Sequence, residues 1–406
     1  MKLIGPFRQA LTLRNVPLKG ALPMSDMEIL THVGIIVQAG KIIEVGNFDL
    51  LWKTYHVQVE ELKQDLVLLP GFVDAHTHIC FGGSRTKDYE MRIAGKSYLE
   101  IAQQGGGIWD TVLKTRSKSQ QELTELTLQR ANRHLSEGVT TIEVKSGYGL
   151  SVEAELKMLR AIKQTQEQSK ADIISTCLAA HIKPKDFEGE PKDYLNLISH
   201  ELLPILKQEK LGKRVDIFVE KSAFSVDCAK RYLLQAKLLG FDCVVHADQF
   251  STGGSQLAVE INALSADHLE ASTDLEIKLL AESDTTAIAL PGASLGLGMP
   301  HTPARKLLDA GASLVIASDW NPGSAPMGDL LTQAAILSAS EKLNTLETFA
   351  AITFRAAHAL GLKDRGKIDK ELKADFQAYP CNDYREILYH QGKLKPDFIW
   401  KNGNLV

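Results

Sequence analysis

Eight short apolar runs, most ending in a polar or reactive residue and most separated by helix-like segments, constrain this chain more than any other feature. They occupy residues 69–76 (LPGFVDAH), 139–146 (VTTIEVKS), 172–181 (DIISTCLAAH), 215–222 (VDIFVEKS), 241–248 (FDCVVHAD), 263–268 (ALSADH), 286–292 (TAIALPG) and 313–319 (SLVIASD). Runs of this length read as parallel strands covered on both faces. Helical patterns fall between them at 120–137, 152–168, 227–239 and 302–310, and after the eighth at 327–340. Further on, Asn344 with Glu347 three residues later predicts a capped helix through Gly361. Eight such units in one region predict an α/β fold, a (β/α)8 TIM-like barrel. A doubly wound sheet is the alternative, because periodicity does not fix strand order.

The two ends read differently. HVGIIVQAGKIIEVG has two apolar runs around Ala39-Gly40, and DFIWKNGNLV repeats the pattern around Asn402-Gly403, a strong hairpin signal. The ends are therefore expected to meet in a small β-sandwich domain, residues 1–67 and 366–406, bracketing a barrel over 68–365. A chain of 406 residues suits one large and one small domain. Its net charge of -4 gives no reason to expect nucleic acid or an anionic membrane as partner. No stretch reaches the ~20 apolar residues of a membrane span, and the N-terminal residues lack a secretory pattern. Five scattered cysteines without a CxxC pair argue against a disulfide framework, so a cytoplasmic protein is expected.

In a parallel barrel the reactive groups sit where strands end. The first run ends in His76-Thr77-His78, the third in His181 and the fourth in Glu220. The fifth ends in His246-Ala247-Asp248-Gln249, the sixth in Asp267-His268 and the eighth in Asp319. Five of the twelve histidines lie at these ends. Two residues apart on a strand, His76 and His78 face the same way, so they can share a metal, with His246 and Asp319 closing the shell. Three imidazoles, a carboxylate and an open position describe a catalytic site for zinc or iron. Taken alone, HxH is more often two polar residues at a strand end; the other strand ends give it weight. Cys80 reads as an ordinary small side chain. Gly105-Gly106-Gly107 lacks the GK[ST] of a nucleotide cradle and reads as a loop.

These residues stand inside longer words: PGFVDAHTHICFGGSR, MRIAGKSYLEIAQQGGGI, EVKSGYGL, HADQF, SADHLE, LPGASLGLG and IASDWNPGSAPM. Together they resemble the imidazolonepropionases of the amidohydrolase superfamily over roughly residues 69 to 330. The resemblance implies one divalent ion per subunit, zinc or ferrous or ferric iron, on His76, His78, His246 and Asp319. It implies that Arg85 pairs with a substrate propionate, a task suited to a guanidinium fork. Tyr148, His181, Gln249, Asn321, Gly323 and Ser324 match further substrate contacts. Gln249 stands where some members have Glu, so no general-base role is expected there, and Ser324 replaces a Thr of some relatives. The implied reaction is ring opening of 4-imidazolone-5-propanoate to N-formimidoyl-L-glutamate in histidine breakdown. Asp319 would shuttle the proton, with His181 and His268 stabilising the developing oxyanion. A small molecule is thus the expected partner, and a homodimer is compatible with the resemblance. Glu220 has no assigned role; in binuclear relatives a carboxylate bridges a second metal. Two alternatives stay open: an amidohydrolase acting on another heterocycle, as deaminases and cyclic amidases do, and a non-catalytic barrel kept for assembly.

Overall fold

The computed structural model describes residues 1–96, 100–101 and 104–406. Residues 97–99 and 102–103, inside the word MRIAGKSYLEIAQQGGGI, lie outside the described residues.

The chain begins with β1 (Lys2–Leu11), β2 (Ile29–Gln38), β3 (Lys41–Asn47), β4 (Gln58–Glu61) and β5 (Val67–Pro70). It ends with β14 (Phe376–Tyr379), β15 (Phe398–Lys401) and β16 (Asn404–Leu405). These strands form one mixed sheet in the order β16-β15-β14-β5-β1-β2-β3, with β4 also paired to β1. Both predicted hairpins are present. Their two-residue turns, Ala39-Gly40 and Asn402-Gly403, have positive φ at both positions, the geometry that matches the twist of the flanking strands. The register of β1 shifts between Ile4 and Phe7. The sheet curls enough for Phe7 to meet Trp400 from β15 at 5.9 Å between ring centroids, over a core that includes Val33, Ile35, Leu68 and Phe376.

Between the ends run β6 (Phe72–Asp74), β7 (Val139–Lys145), β8 (Asp172–Ala180), β9 (Arg214–Phe218), β10 (Asp242–Ala247), β11 (Ser265–His268), β12 (Thr286–Ala289) and β13 (Leu314–Ile316). They pair in sequence order, every pair parallel. This is the predicted eight-stranded barrel rather than a doubly wound sheet. It is closed by a parallel bridge between Thr77 and Trp320, with His78 N donating to Trp320 O and Asp319 N to His76 O, each at 3.0 Å. The closing seam is thus built from the residues that carry the expected metal ligands.

Two expected elements differ from those found. The first run divides at Gly71: Val67–Pro70 belongs to the small sheet, and the barrel starts at Phe72. A Cβ on Gly71 would lie 2.3 Å from Thr140 Oγ1, so only glycine lets the chain pass there. The capped helix after Asn344 does form its reciprocal Asn344–Glu347 box, yet it stops at Ala351 and resumes as Phe354–Ala359. The break turns the Ile352 carbonyl toward β6, where it accepts from Val73 N at 2.8 Å.

Candidate metal and catalytic site

His76 and His78 lie just beyond β6, in the extended segment that forms the closing seam, so the alternation expected of a strand persists past its end. Their Nε2 atoms are 3.1 Å apart, and His78 Nε2 is 3.4 Å from His246 Nε2. Asp319 Oδ1 stands 3.5 Å from His76 Nε2 and 3.3 Å from His78 Nε2. All four side chains are buried. Asp319 has a positive φ of 49°, which turns its carboxylate inward immediately after β13. The opposite oxygen, Oδ2, accepts from Asn321 Nδ2 at 2.9 Å and faces Ser324 Oγ at 3.4 Å.

The outer nitrogens decide what the inner ones present. His76 Nδ1 is 2.6 Å from Asp267 Oδ2, and His246 Nδ1 is 3.0 Å from Asp216 Oδ2. A proton at the His76 contact sits between Nδ1 and carboxylate, leaving Nε2 as a bare lone pair, and the Asp216 carboxylate beside His246 Nδ1 favours the same tautomer there. Burial, with the nearby Lys145 charge, brings His78 down to about 3, and burial brings His246 down to about 4 despite Asp216, so both imidazoles are neutral at pH 7. Lone pairs converging at 3.1–3.4 Å beside a carboxylate oxygen repel one another unless a cation lies between them. The donor set therefore fits a divalent metal ion of the zinc or iron type.

His268 joins the cluster. Among the described residues two groups could hold a metal, His76 with His78 and Asp319, and His76 with His246 and His268, and the Nδ1 of His268 is 3.4 Å from Glu270 Oε1. Burial alone would lower its pKa, but Glu270, Asp319 and Asp267 outweigh burial and raise it. His181 stacks on His78, with centroids 5.6 Å apart, and its Nδ1 is 3.0 Å from the Gly147 carbonyl. A carbonyl only accepts, so Nδ1 carries the proton. Tyr148 lies 5.6 Å from His181 and 6.0 Å from His78 between ring centroids. Arg85 donates Nε to Asp88 Oδ2 at 2.8 Å, and its Nη1 packs on Gly323, where a Cβ would come within 2.2 Å. Asp88 also accepts from Gly107 N at 2.8 Å. The triple glycine thus lets a loop close on the carboxylate that aims Arg85.

No protein-family model matches the chain, whereas whole-length relatives do. It is 38% identical to the imidazolonepropionase of Bacillus cytotoxicus, over 94% of this chain and 91% of that one. It is 39% identical to the imidazolonepropionase of Fusobacterium nucleatum, over 94% of each. The chain belongs to the imidazolonepropionase family. It is accordingly a hydrolase of histidine degradation acting on a small molecule. Among solved structures, an adenosine deaminase from Xanthomonas campestris with bound zinc matches with a TM-score of 0.72 at 17% identity, over all of this chain and 92% of that one. A guanine deaminase from C. acetobutylicum matches at 0.67 and 16%, over 100% and 99%. At such identities the likeness is one of fold alone.

Within this imidazolonepropionase-family site several side chains organise loops. Asn321 donates Nδ2 to the Asp319 carbonyl, Asp319 Oδ2 and Ser324 Oγ, while its Oδ1 accepts from Gly323 N and Ser324 N at 2.7 and 2.8 Å. Its amide is fully engaged in shaping the loop. Glu220 accepts from Phe250 N and Ser251 N at 3.0 Å each and from Lys221 N at 2.9 Å. It braces the loop that carries Gln249, itself buried, and Glu220 enters neither metal-capable group among the described residues. Asp248 likewise binds Gly254 N and Ser272 Oγ, at 2.9 and 2.8 Å. Cys80 is buried, and burial raises its thiol to about 11. Sequence reasoning missed Glu155, which accepts from Gly147 N, Gly149 N and Leu150 N at 3.0, 2.7 and 2.8 Å and so shapes the SGYG loop. It also missed Glu143, Lys145 and Asp216. The available signal was a charge inside a run otherwise suited to a buried strand, as in IEVK and VDIF. Among the described residues no helix is long and apolar enough to cross a membrane.

Proposed function

We propose that this site opens the ring C–N bond of 4-imidazolone-5-propanoate, giving N-formimidoyl-L-glutamate, with one zinc or iron ion per chain held by His76, His78, His246 and Asp319. The observation that supports the reading is a buried cluster in which His76 and His78 Nε2 lie 3.1 Å apart, His246 Nε2 lies 3.4 Å from His78 Nε2 and Asp319 Oδ1 lies 3.5 Å from His76 Nε2, with Arg85 at the adjoining Gly323 loop. A bound ion supplies Lewis acidity, which makes water acidic enough to attack near neutral pH and polarises the ring carbonyl.

The chain's own groups do the rest. Asp319 takes the proton of the attacking water and delivers it to the ring nitrogen as the C–N bond breaks, so one proton enters and leaves the carboxylate. Asn321 and Ser324 hold Oδ2 during that exchange. His268, favoured as the imidazolium by Glu270, donates to the carbonyl oxygen as it gains charge. His181 takes a narrower part than expected. With its proton on Nδ1, its Nε2 accepts from a ring N–H and leaves oxyanion donation to His268. Tyr148 packs beside the ring, Gln249 orients it without taking a proton, and Arg85 engages the propionate carboxylate with Nη1 and Nη2. Gly323 leaves room for that guanidinium. The segments 1–67, 68–365 and 366–406 are the domains of this reading, with Leu68–Pro70 given instead to the small sheet, and every site residue falls in the barrel segment. Five unpaired cysteines suit a cytoplasmic enzyme.

The test is turnover of 4-imidazolone-5-propanoate, followed by ring absorbance, by metal-free and reconstituted protein beside guanine, cytosine and hydantoin. Metal-dependent loss of the imidazolone alone is expected. Faster turnover of any of the other three overturns the substrate assignment.

A further inference from the structure

One fully buried ammonium sits beneath the donor cluster. Lys145, the last residue of β7, places Nζ 2.8 Å from Glu143 Oε1, 2.9 Å from Asp216 Oδ2 and 3.8 Å from Asp267 Oδ2. β7, β9 and β11 are not neighbours in the barrel wall, so these contacts cross its interior. The oxygens that Lys145 faces on Asp216 and Asp267 are the ones beside His246 Nδ1 and His76 Nδ1. The third partner reaches the remaining ligand segment. Glu143 Oε2 accepts from Thr77 N at 3.1 Å, and Thr77 Oγ1 donates to the Glu143 carbonyl at 2.6 Å. Thr77 lies between His76 and His78. One cation thus touches, through three carboxylates, the rings of two of the four residues assigned to the metal and the backbone of Thr77, which lies between His76 and His78.

We propose that Lys145 is a positioning residue for the metal centre: it fixes Asp216, Asp267 and Glu143 so that His246, His76 and the Thr77 segment present their ligand atoms to one point. A lysine that merely neutralised buried carboxylates would have no reason to share the same oxygens with two ligand imidazoles. Three carboxylates crowded within a few ångströms of one another, without that cation, repel and turn away. The imidazole Nδ1 contacts would turn with them. Groups that orient metal-bound histidines typically carry a 10–100-fold effect on metal affinity.

The inference rests on the metal assignment above, and the experiment separates the two. Zinc affinity is measured by competition with a chromophoric chelator for the full-length wild-type protein, Lys145→Met and Lys145→Arg, beside Glu276→Gln, a change to a buried carboxylate that accepts from Thr273 N and touches no ligand. Cobalt-substituted samples report ligand geometry through their visible absorption, and thermal unfolding of the metal-free proteins reports the fold. The expected result is roughly 10–100-fold weaker zinc binding and a changed cobalt spectrum for Lys145→Met, partial recovery in Lys145→Arg, and wild-type zinc affinity in Glu276→Gln. Folded Lys145→Met that binds zinc within threefold of wild type with an unaltered cobalt spectrum overturns the role of Lys145 and leaves the ligand assignment standing. Wild-type protein that takes up no stoichiometric zinc or cobalt removes both. If Lys145→Met does not fold, Lys145→Gln, which keeps one donor to a carboxylate, decides by the same thresholds.

Discussion

Substituting Gly323 by alanine tests the placement of Arg85 with a single methyl group. Gly323 is not in the left-handed region, so alanine adds no backbone strain there, only the side chain. The added Cβ would sit 2.2 Å from Arg85 Nη1, 2.9 Å from Cζ and 3.2 Å from Asn321 Oδ1. The guanidinium is the far end of a flexible side chain and can swing away, so the fold is expected to survive. Swinging breaks the Nε bond to Asp88 and misaligns the fork that meets the substrate carboxylate. A hydrogen bond to a charged group contributes about 1.5–3 kcal/mol, and each 1.4 kcal/mol is about tenfold. The predicted KM for 4-imidazolone-5-propanoate therefore rises about 10–100-fold. kcat should stay within about threefold, because Asp319 and the imidazoles are untouched. Steady-state kinetics by ring absorbance, run beside an imidazolone lacking the propionate, reads this directly: the advantage of the carboxylated substrate should shrink in the variant. An unchanged KM, or an equal penalty on both substrates, refutes the placement.

Asp319→Asn should lower kcat by orders of magnitude in a protein that still folds, as followed by ring absorbance and circular dichroism; near-normal turnover would remove the proton shuttle. Glu220→Gln should leave the bound-metal count at one ion per chain by elemental analysis, since Glu220 braces the Phe250–Ser251 backbone; a second ion lost in this variant contradicts that. Asp172 carries a pH dependence. Burial raises its pKa, but Lys401, Lys373 and Arg365 outweigh burial and hold it below the ordinary range. Its contribution is therefore full above the unfolded value of about 3.9 and is lost as pH falls toward the lower folded value. Between pH 6 and pH 3 wild type should lose about 1 kcal/mol more stability than Asp172→Asn in urea unfolding, and equal losses would mean the cations do not tune Asp172.

The barrel was legible because a strand covered on both faces leaves a mark in a single sequence: a short apolar run that ends abruptly in something polar. All eight runs became strands, and both hairpin turns fell where Ala39-Gly40 and Asn402-Gly403 place them. Strand ends pointed to His76, His78, His246 and Asp319 for the same reason. Less legible was anything set by long-range packing. The division at Gly71 depends on Thr140, and the helix break before Phe354 depends on Val73. No local pattern reports either partner. Asn321 was expected to face a ligand, yet its amide is saturated by its own loop, a distinction that hydrogen-bond partners reveal and residue type does not. Lys145 was hidden because a charge in a buried strand looks like an interruption of the apolar pattern until Asp216 and Asp267 are seen to surround it.

The account turns on which atoms hold the ion. Anomalous diffraction from crystals of zinc-loaded wild-type protein, recorded on both sides of the zinc edge, tests this most directly. One site per chain is predicted, bonded to the imidazoles of His76, His78 and His246 and to the Asp319 carboxylate. A peak elsewhere, or one at the histidines with Asp319 out of bonding reach, would contradict it.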